Sequence, residues 1–237
     1  MRADPERRAR LLQMAAGAGF LALAIVLVLI VVNASSGGSG GDTKLEGVVE
    51  VDRLLEGIPQ QQLVLGETEA PVELFEYGDL QCPVCKGYAE EILPPIIEGM
   101  VRQGKVKLAF RNLTIIGEES VAAGAAVLAA GEQGRGWNYL ELFYRNQGQE
   151  NSGYVDDQFL EAIAKRAGVE NLAEWNRDRR ALIPQVEADT EEARRLGYDA
   201  TPSFAINTIK GFESIGTPQT TGALEDAISE AAARAAP

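Results

Sequence analysis

The sequence predicts an α/β fold: a βαβ unit, then about eighty residues of helix, then a ββα unit. Three observations predict it. The strand-like run Val72-Glu73-Leu74-Phe75-Glu76-Tyr77 gives way to helix-like sequence across Cys82-Pro83-Val84-Cys85. After Gly104, residues 105–110 alternate as a second strand with Val106, Leu108 and Phe110 on one face. Residues 118–196 then show only helical patterns, before Ser203-Phe204-Ala205-Ile206 returns to strand chemistry.

The first residues stand apart from this pattern. Residues 11–32 carry no charge and are dense in Leu, Ile, Val and Ala, long enough to cross a bilayer as a helix. Arg2, Arg7, Arg8 and Arg10 precede them against Asp4 and Glu6, so the positive-inside rule places residues 1–10 in the cytoplasm and the rest outside. A cleaved signal peptide is the competing reading, with Val32-Asn33-Ala34 as its cleavage site, but the apolar stretch exceeds the usual h-region of about 7–15 residues. Either way the remainder meets a compartment where disulfide chemistry is at home. Residues 33–47 form a Gly/Ser-rich linker, and 48–237 the folded domain.

Along that domain, Val48, Val51, Leu54, Leu55 and Ile58 recur at helical spacing up to Pro59. Residues 62–65 read as a short edge strand and 66–71 as a polar turn. The helix after Cys82 meets Pro94-Pro95, which predicts a kink or restart near Leu93. The helical segment spans about 114–196. It includes an Ala-rich helix, an aromatic one around Trp137, Tyr139, Phe143 and Tyr144 whose rings belong to a core, and one stopped by Gly168. After residues 203–206 a turn at Asn207-Thr208 and a strand over 209–215 predict a hairpin. Thr217-Pro218 or Thr220 starts a last helix with Leu224, Ala227, Ile228 and Ala231 on one face.

The chemistry concentrates at Cys82 and Cys85, the chain's two cysteines. A Cys-x-x-Cys pair where a strand gives way to a helix reads as a redox motif. The first sulfur meets the unpaired N–H groups and dipole of the helix start, which favour its thiolate. The second lies one turn in, where it can resolve a mixed disulfide. Pro83 suits the first helical turn. A structural zinc site needs four ligands, and the chain has no further Cys and no His. An inert disulfide here would close a very short loop and stabilise little. With no metal expected, the redox-active pair needs no cofactor. The formal charge is −13 overall and −15 beyond residue 32, which repels phosphate backbones and excludes nucleic acid as a partner.

The element order, the run Gly78-Asp79-Leu80-Gln81-Cys82-Pro83-Val84-Cys85, and Ala200-Thr201-Pro202-Ser203-Phe204 before a late strand resemble the DsbA-like branch of the thioredoxin superfamily, in its membrane-anchored bacterial form. The resemblance covers about residues 46–237. It implies a thioredoxin fold with an inserted helical subdomain and thiol–disulfide oxidoreductase activity. It makes Cys82 the exposed nucleophile, Cys85 the resolving cysteine, and Thr201-Pro202 a cis-proline loop that faces the disulfide and holds substrate backbone. It also places an acid under the disulfide at Glu76. Physically, Glu76 either is buried, with a raised pKa that lets it exchange a proton with Cys85, or reaches solvent at the strand end. Arg111, ending the next strand, is a possible ion-pair partner for it.

Two positions depart from the pattern. Val84 stands where the best-known members carry His, and its side chain offers Cys82 neither a hydrogen bond nor a charge, so a less depressed thiol pKa and a weaker oxidant are expected. Ala200 stands where a Gly often precedes Thr-Pro. The leading functional reading is an anchored oxidase for reduced exported proteins, reoxidised by a membrane partner of the DsbB or vitamin K epoxide reductase type. The alternatives are a reductase or isomerase running the other way, and a binding or chaperone module with a vestigial disulfide. Cytochrome-maturation reductases of this superfamily carry Trp before the motif, where this chain has Gln81.

Overall fold

The computed structural model describes residues 44–236. The expected cytoplasmic segment 1–10, the membrane span 11–32 and residues 33–43 of the linker lie outside them. Among the described residues no helix is long and apolar enough to cross a membrane.

Six strands form one mixed sheet: β1 (Gln60–Gln61), β2 (Val64–Leu65), β3 (Val72–Gly78), β4 (Val106–Asn112), β5 (Ser203–Thr208) and β6 (Gly211–Gly216), in the spatial order β1-β2-β4-β3-β5-β6. β3 runs parallel to β4 and antiparallel to β5, so it is the central strand. Its sequence shows why. Leu74 joins Phe110, Phe204 and Ile206 in the main core, while Phe75 and Tyr77 join Ala109, Ala205 and Tyr198 on the other face. A strand covered on both faces reads as a nearly continuous apolar run.

The expected edge strand at 62–65 is instead a small hairpin. Gln62 turns with a positive φ of 52°, and only Val64 and Leu65 pair with β4. The hairpin turn of β5–β6 also differs from expectation. β5 continues through Asn207, in register with Glu73, so the turn falls at Ile209-Lys210, and Ile209 is 80% exposed.

Helix α1 (Val48–Leu55) buries Val51, Leu54 and Leu55. From Pro83 to Val101 the chain stays helical but changes pitch: α2 (Pro83–Gly87), a π turn (Tyr88–Ile92), α3 (Leu93–Ile96) and a second π turn (Ile97–Val101). The expected disturbance at Pro94-Pro95 thus takes the form of widened turns on either side. The Leu93 N–H donates to the Tyr88 carbonyl five residues back, which opens the turn just before the proline rings.

The helical insertion comprises α4 (Glu118–Glu132), α5 (Gly136–Arg145), α6 (Asp157–Arg166), α7 (Leu172–Ala181) and α8 (Ile183–Arg195). Its two buried indoles are satisfied: the N–H of Trp175 donates to the Ala126 carbonyl at 2.9 Å, and that of Trp137 to the Leu63 carbonyl at 3.0 Å. Gly168 follows α6 with φ 82°, as a C-terminal stop requires. Helix α9 (Thr221–Ala235) is capped by Thr220, whose Oγ1 accepts the Ala223 N–H at 3.1 Å.

Gly78 ends β3 where the insertion reaches the sheet. A Cβ there would lie 2.6 Å from Phe110 Cε2 and 3.2 Å from the Tyr144 hydroxyl. Gly78→Ala is therefore expected to destabilise the domain by about 1–3 kcal/mol, read as a lower urea midpoint with an unchanged slope.

Candidate active site

Cys82 caps α2 in extended geometry (φ −73°, ψ 118°), and its Sγ accepts the Cys85 N–H at 3.5 Å. Pro83 occupies the first turn, and the Lys86 N–H donates to the Cys82 carbonyl at 3.1 Å. Far along the chain, the Thr201–Pro202 peptide is cis, and the Thr201 carbonyl lies 3.5 Å from Cys82 Sγ. The loop is held by the Thr217 hydroxyl on the Pro202 carbonyl at 2.9 Å and by Ser203 Oγ on the Ala200 carbonyl at 2.6 Å.

The two sulfurs, both free thiols, differ sharply in acidity. The Cys82 thiol is pushed down to about 6, chiefly by the hydrogen bond from the Cys85 thiol, with further bonds from Thr201 and the backbone of Cys85 and Val84 outweighing its burial. Val84 contributes through its backbone alone, and its side chain is more than half exposed beside the sulfur. The Cys85 thiol is pushed well up by burial, then by its bond to Cys82 and the Glu76 charge. The expectation of an exposed nucleophile needs correcting: Cys82 keeps only 6% exposure and Cys85 none, because the Thr201 loop lies against the first sulfur.

Glu76 is buried under this pair. Its strand neighbours in register are Phe110 and Phe204, and neither carboxyl oxygen has a hydrogen-bond partner. Burial, and then the Glu141 and Cys82 charges, raise its pKa to about 8. Arg111 is not its partner. It stands in register with Tyr77, so strand alternation turns it to the opposite face, where its guanidinium lies 5.3 Å from the Phe75 ring centroid.

Several residues that fix the site were not singled out in the sequence. Asp79 is fully buried. Its Oδ1 accepts the Gln81 N–H at 2.9 Å, its Oδ2 accepts those of Ile115 and Ile116 at 2.9 and 3.1 Å, and its carbonyl accepts the Cys82 N–H at 3.0 Å. Gln81, also buried, donates to Ser120 Oγ at 2.9 Å and accepts the Asn151 N–H at 2.8 Å. From the insertion, Gln147 Nε2 donates to the carbonyls of Leu80 and Cys82 at 2.6 and 3.1 Å. The sequence signal was the density of Asp and Gln beside the motif, where turns usually carry exposed polar residues.

A sulfur ionised near neutrality, in contact with a thiol that is not, is the arrangement of a thiol–disulfide exchange pair. As a thiolate it attacks a disulfide or is expelled from one, and once oxidised it is the sulfur a substrate thiolate attacks, while its neighbour takes up or releases a proton. The protein is a thiol–disulfide oxidoreductase. Residues 59–230 match the family model described as Thioredoxin, and the chain belongs to that family, in its DsbA-like branch. It is 31% identical to disulfide bond formation protein D of Bacillus subtilis over 158 residues, 64% of this chain and 71% of that protein. The crystal structure of oxidised BdbD from Bacillus subtilis superposes with a TM-score of 0.65 at 25% identity, covering 74% of this chain and 98% of that one. The fold is shared with alpha-DsbA1 of Wolbachia pipientis (TM-score 0.61, 19% identity, 76% and 94% covered).

Proposed function

We propose that the protein works outside the cytoplasm as an oxidase that introduces disulfides into exported proteins, held to the membrane by residues 11–32. The observation that carries the direction is the Cys82 thiol, low at about 6. A stabilised thiolate stabilises the reduced pair, and a stable reduced pair makes the oxidised form a stronger acceptor of electrons. The relatives named for disulfide bond formation support the same direction. In the forward reaction a substrate thiolate attacks Cys82, the Cys82–Cys85 bond breaks, and Cys85 takes the electron pair. A second substrate thiolate then attacks the mixed disulfide and expels Cys82 as its thiolate. The exposed Val84 and the Thr201-Pro202 loop flank the position the substrate sulfur must reach. A membrane partner of the DsbB or vitamin K epoxide reductase type then reoxidises the pair.

Equilibrating the pair in glutathione buffers tests the direction. The expected potential lies above that of thioredoxin, about −270 mV, and toward that of protein disulfide isomerase, about −180 mV, but short of the most oxidising members near −120 mV, since Val84 adds no side-chain bond. Oxidation of a reduced substrate should outpace reduction of insulin. A potential at or below that of thioredoxin would reverse the assignment to a reductase.

A further inference from the structure

Glu141 lies on α5, in the aromatic run Trp137-Asn138-Tyr139-Leu140-Glu141-Leu142-Phe143-Tyr144, and is completely buried. Its Oε2 pairs with Arg145 one turn on, while its Oε1 has no partner. α5 meets the sheet on the face that carries Glu76. Tyr144, three residues after Glu141, approaches Gly78, which shares a strand face with Glu76, and its hydroxyl lies 3.4 Å from the Asp79 carbonyl. On that face the strands beside Glu76 offer only Phe110 and Phe204. Among the described residues, the carboxyl acting on Glu76 from outside the sheet is therefore Glu141 of the insertion.

The groups around the pair can be named element by element. Cys82 and Cys85 face Glu76 from α2, Tyr88 from the π turn, and Tyr144 from α5. Arg145 and, from the π turn, Glu90 act on Glu141, whose own pKa burial raises to about 7, and Lys86 of α2 pairs with Glu90 and donates to the Tyr144 carbonyl, each at 2.8 Å. The other helices packed on α5 turn apolar residues inward: Val51 and Leu54 from α1, Ala123 and Ala126 from α4, Leu160 and Ile163 from α6.

We propose that Glu141 is a positioning residue for thiol–disulfide exchange: from across the sheet–insertion boundary it sets how tightly the buried Glu76 holds the proton that Cys85 needs. The proposal rests on the oxidoreductase reading above. When a substrate thiolate attacks Cys82, the S–S electron pair goes to Cys85, and Cys85 takes the proton of Glu76. The negative charge of Glu141, held by its ion pair with Arg145, disfavours the Glu76 carboxylate left behind and so draws a proton back onto Glu76. The proton returns from the Arg145 end of α5, the partly exposed end of the pair. When the second substrate thiol resolves the mixed disulfide, Cys82 leaves as a thiolate. The substrate's two protons are then accounted for, one on Cys85 and one in solvent.

The test uses the full-length chain as wild type, Glu141→Gln, Glu76→Gln and the double variant. Carboxyl ¹³C titration of the oxidised protein, in which neither thiolate exists, should show the Glu76 inflection lowered by about one pH unit in Glu141→Gln. Reduction of the disulfide by dithiothreitol between pH 6 and 9 should slow several-fold in Glu141→Gln, and the double variant should be no slower than Glu76→Gln alone. Glu141→Asp should restore the wild-type inflection, which a packing role would not produce. An unchanged Glu76 inflection in Glu141→Gln, or an equal slowing with Glu76 already replaced, would overturn the proposal. Cys82→Ser run alongside separates the two levels: exchange surviving there sinks the oxidoreductase reading, whereas its loss with an unmoved Glu141→Gln profile sinks only the role of Glu141.

Discussion

Cys82→Ser is expected to reduce thiol–disulfide exchange to the uncatalysed background, and Cys85→Ser to trap it halfway. Only Cys82 combines contact with the Thr201-Pro202 loop, some residual exposure and a thiol ionised near neutrality. A serine hydroxyl in its place cannot form or break the disulfide, so loss on the order of a thousandfold or more follows. In Cys85→Ser the Cys82 thiolate survives and attacks a partner's disulfide, but the intramolecular release by Cys85 is gone, so covalent complexes should accumulate and dissolve on reduction. Non-reducing electrophoresis with mass analysis reads both outcomes. Exchange persisting in Cys82→Ser, or adducts forming on Cys85 first, would mean that the roles of the sulfurs are misassigned.

Glu76→Gln is expected to have the largest effect on stability, and the effect depends on pH. Burial holds the folded carboxyl at about 8, against 4.5 for the free group. Below about 4.5 both the folded and unfolded chains hold the proton. Between 4.5 and 8 the unfolded chain loses it first, so stability falls as pH rises through this window, and above about 8 the penalty is complete. At about 1.4 kcal/mol per pH unit the loss amounts to roughly 3–5 kcal/mol. The Gln variant cannot ionise. Its urea midpoint should lose the Glu76 share of the fall between pH 5 and pH 9 and lie above the wild-type curve on the alkaline side. Parallel curves would show that Glu76 ionises freely in the folded protein.

The sequence signals for the core of the fold were strong because they were local. A period-two run beside a Cys-x-x-Cys pair, and helical spacing over the insertion, are set by nearest neighbours. What escaped depends on pairing across the chain. Ile209 looks like a strand residue, yet the register of β5 against β3 makes it the tip of a turn. Arg111 and Glu76 stand near matching ends of adjacent strands, and only the register shows that they face opposite ways. Burial of Glu76 was one of two open readings because a strand end is ambiguous until a helix from elsewhere covers it. Glu141 did carry a local hint, a lone acid in a helix otherwise built of aromatics and leucines, but what it faces comes from residues some sixty positions away. The π turns around Pro94-Pro95 were visible only as a disturbance, since proline forbids a bond without specifying what replaces it.

The Asp79 carboxylate gathers three backbone N–H groups from two separate loops, while its own carbonyl receives the N–H of Cys82. This makes the cradle of the reactive sulfur a rigid clamp rather than a hinge. A clamp of this kind confines the rearrangement between oxidised and reduced states to the sulfur atoms and their protons. Amide hydrogen exchange across residues 79–82 should accordingly be equally slow in both states, and the catalyst should spend no time reshaping itself between one partner and the next.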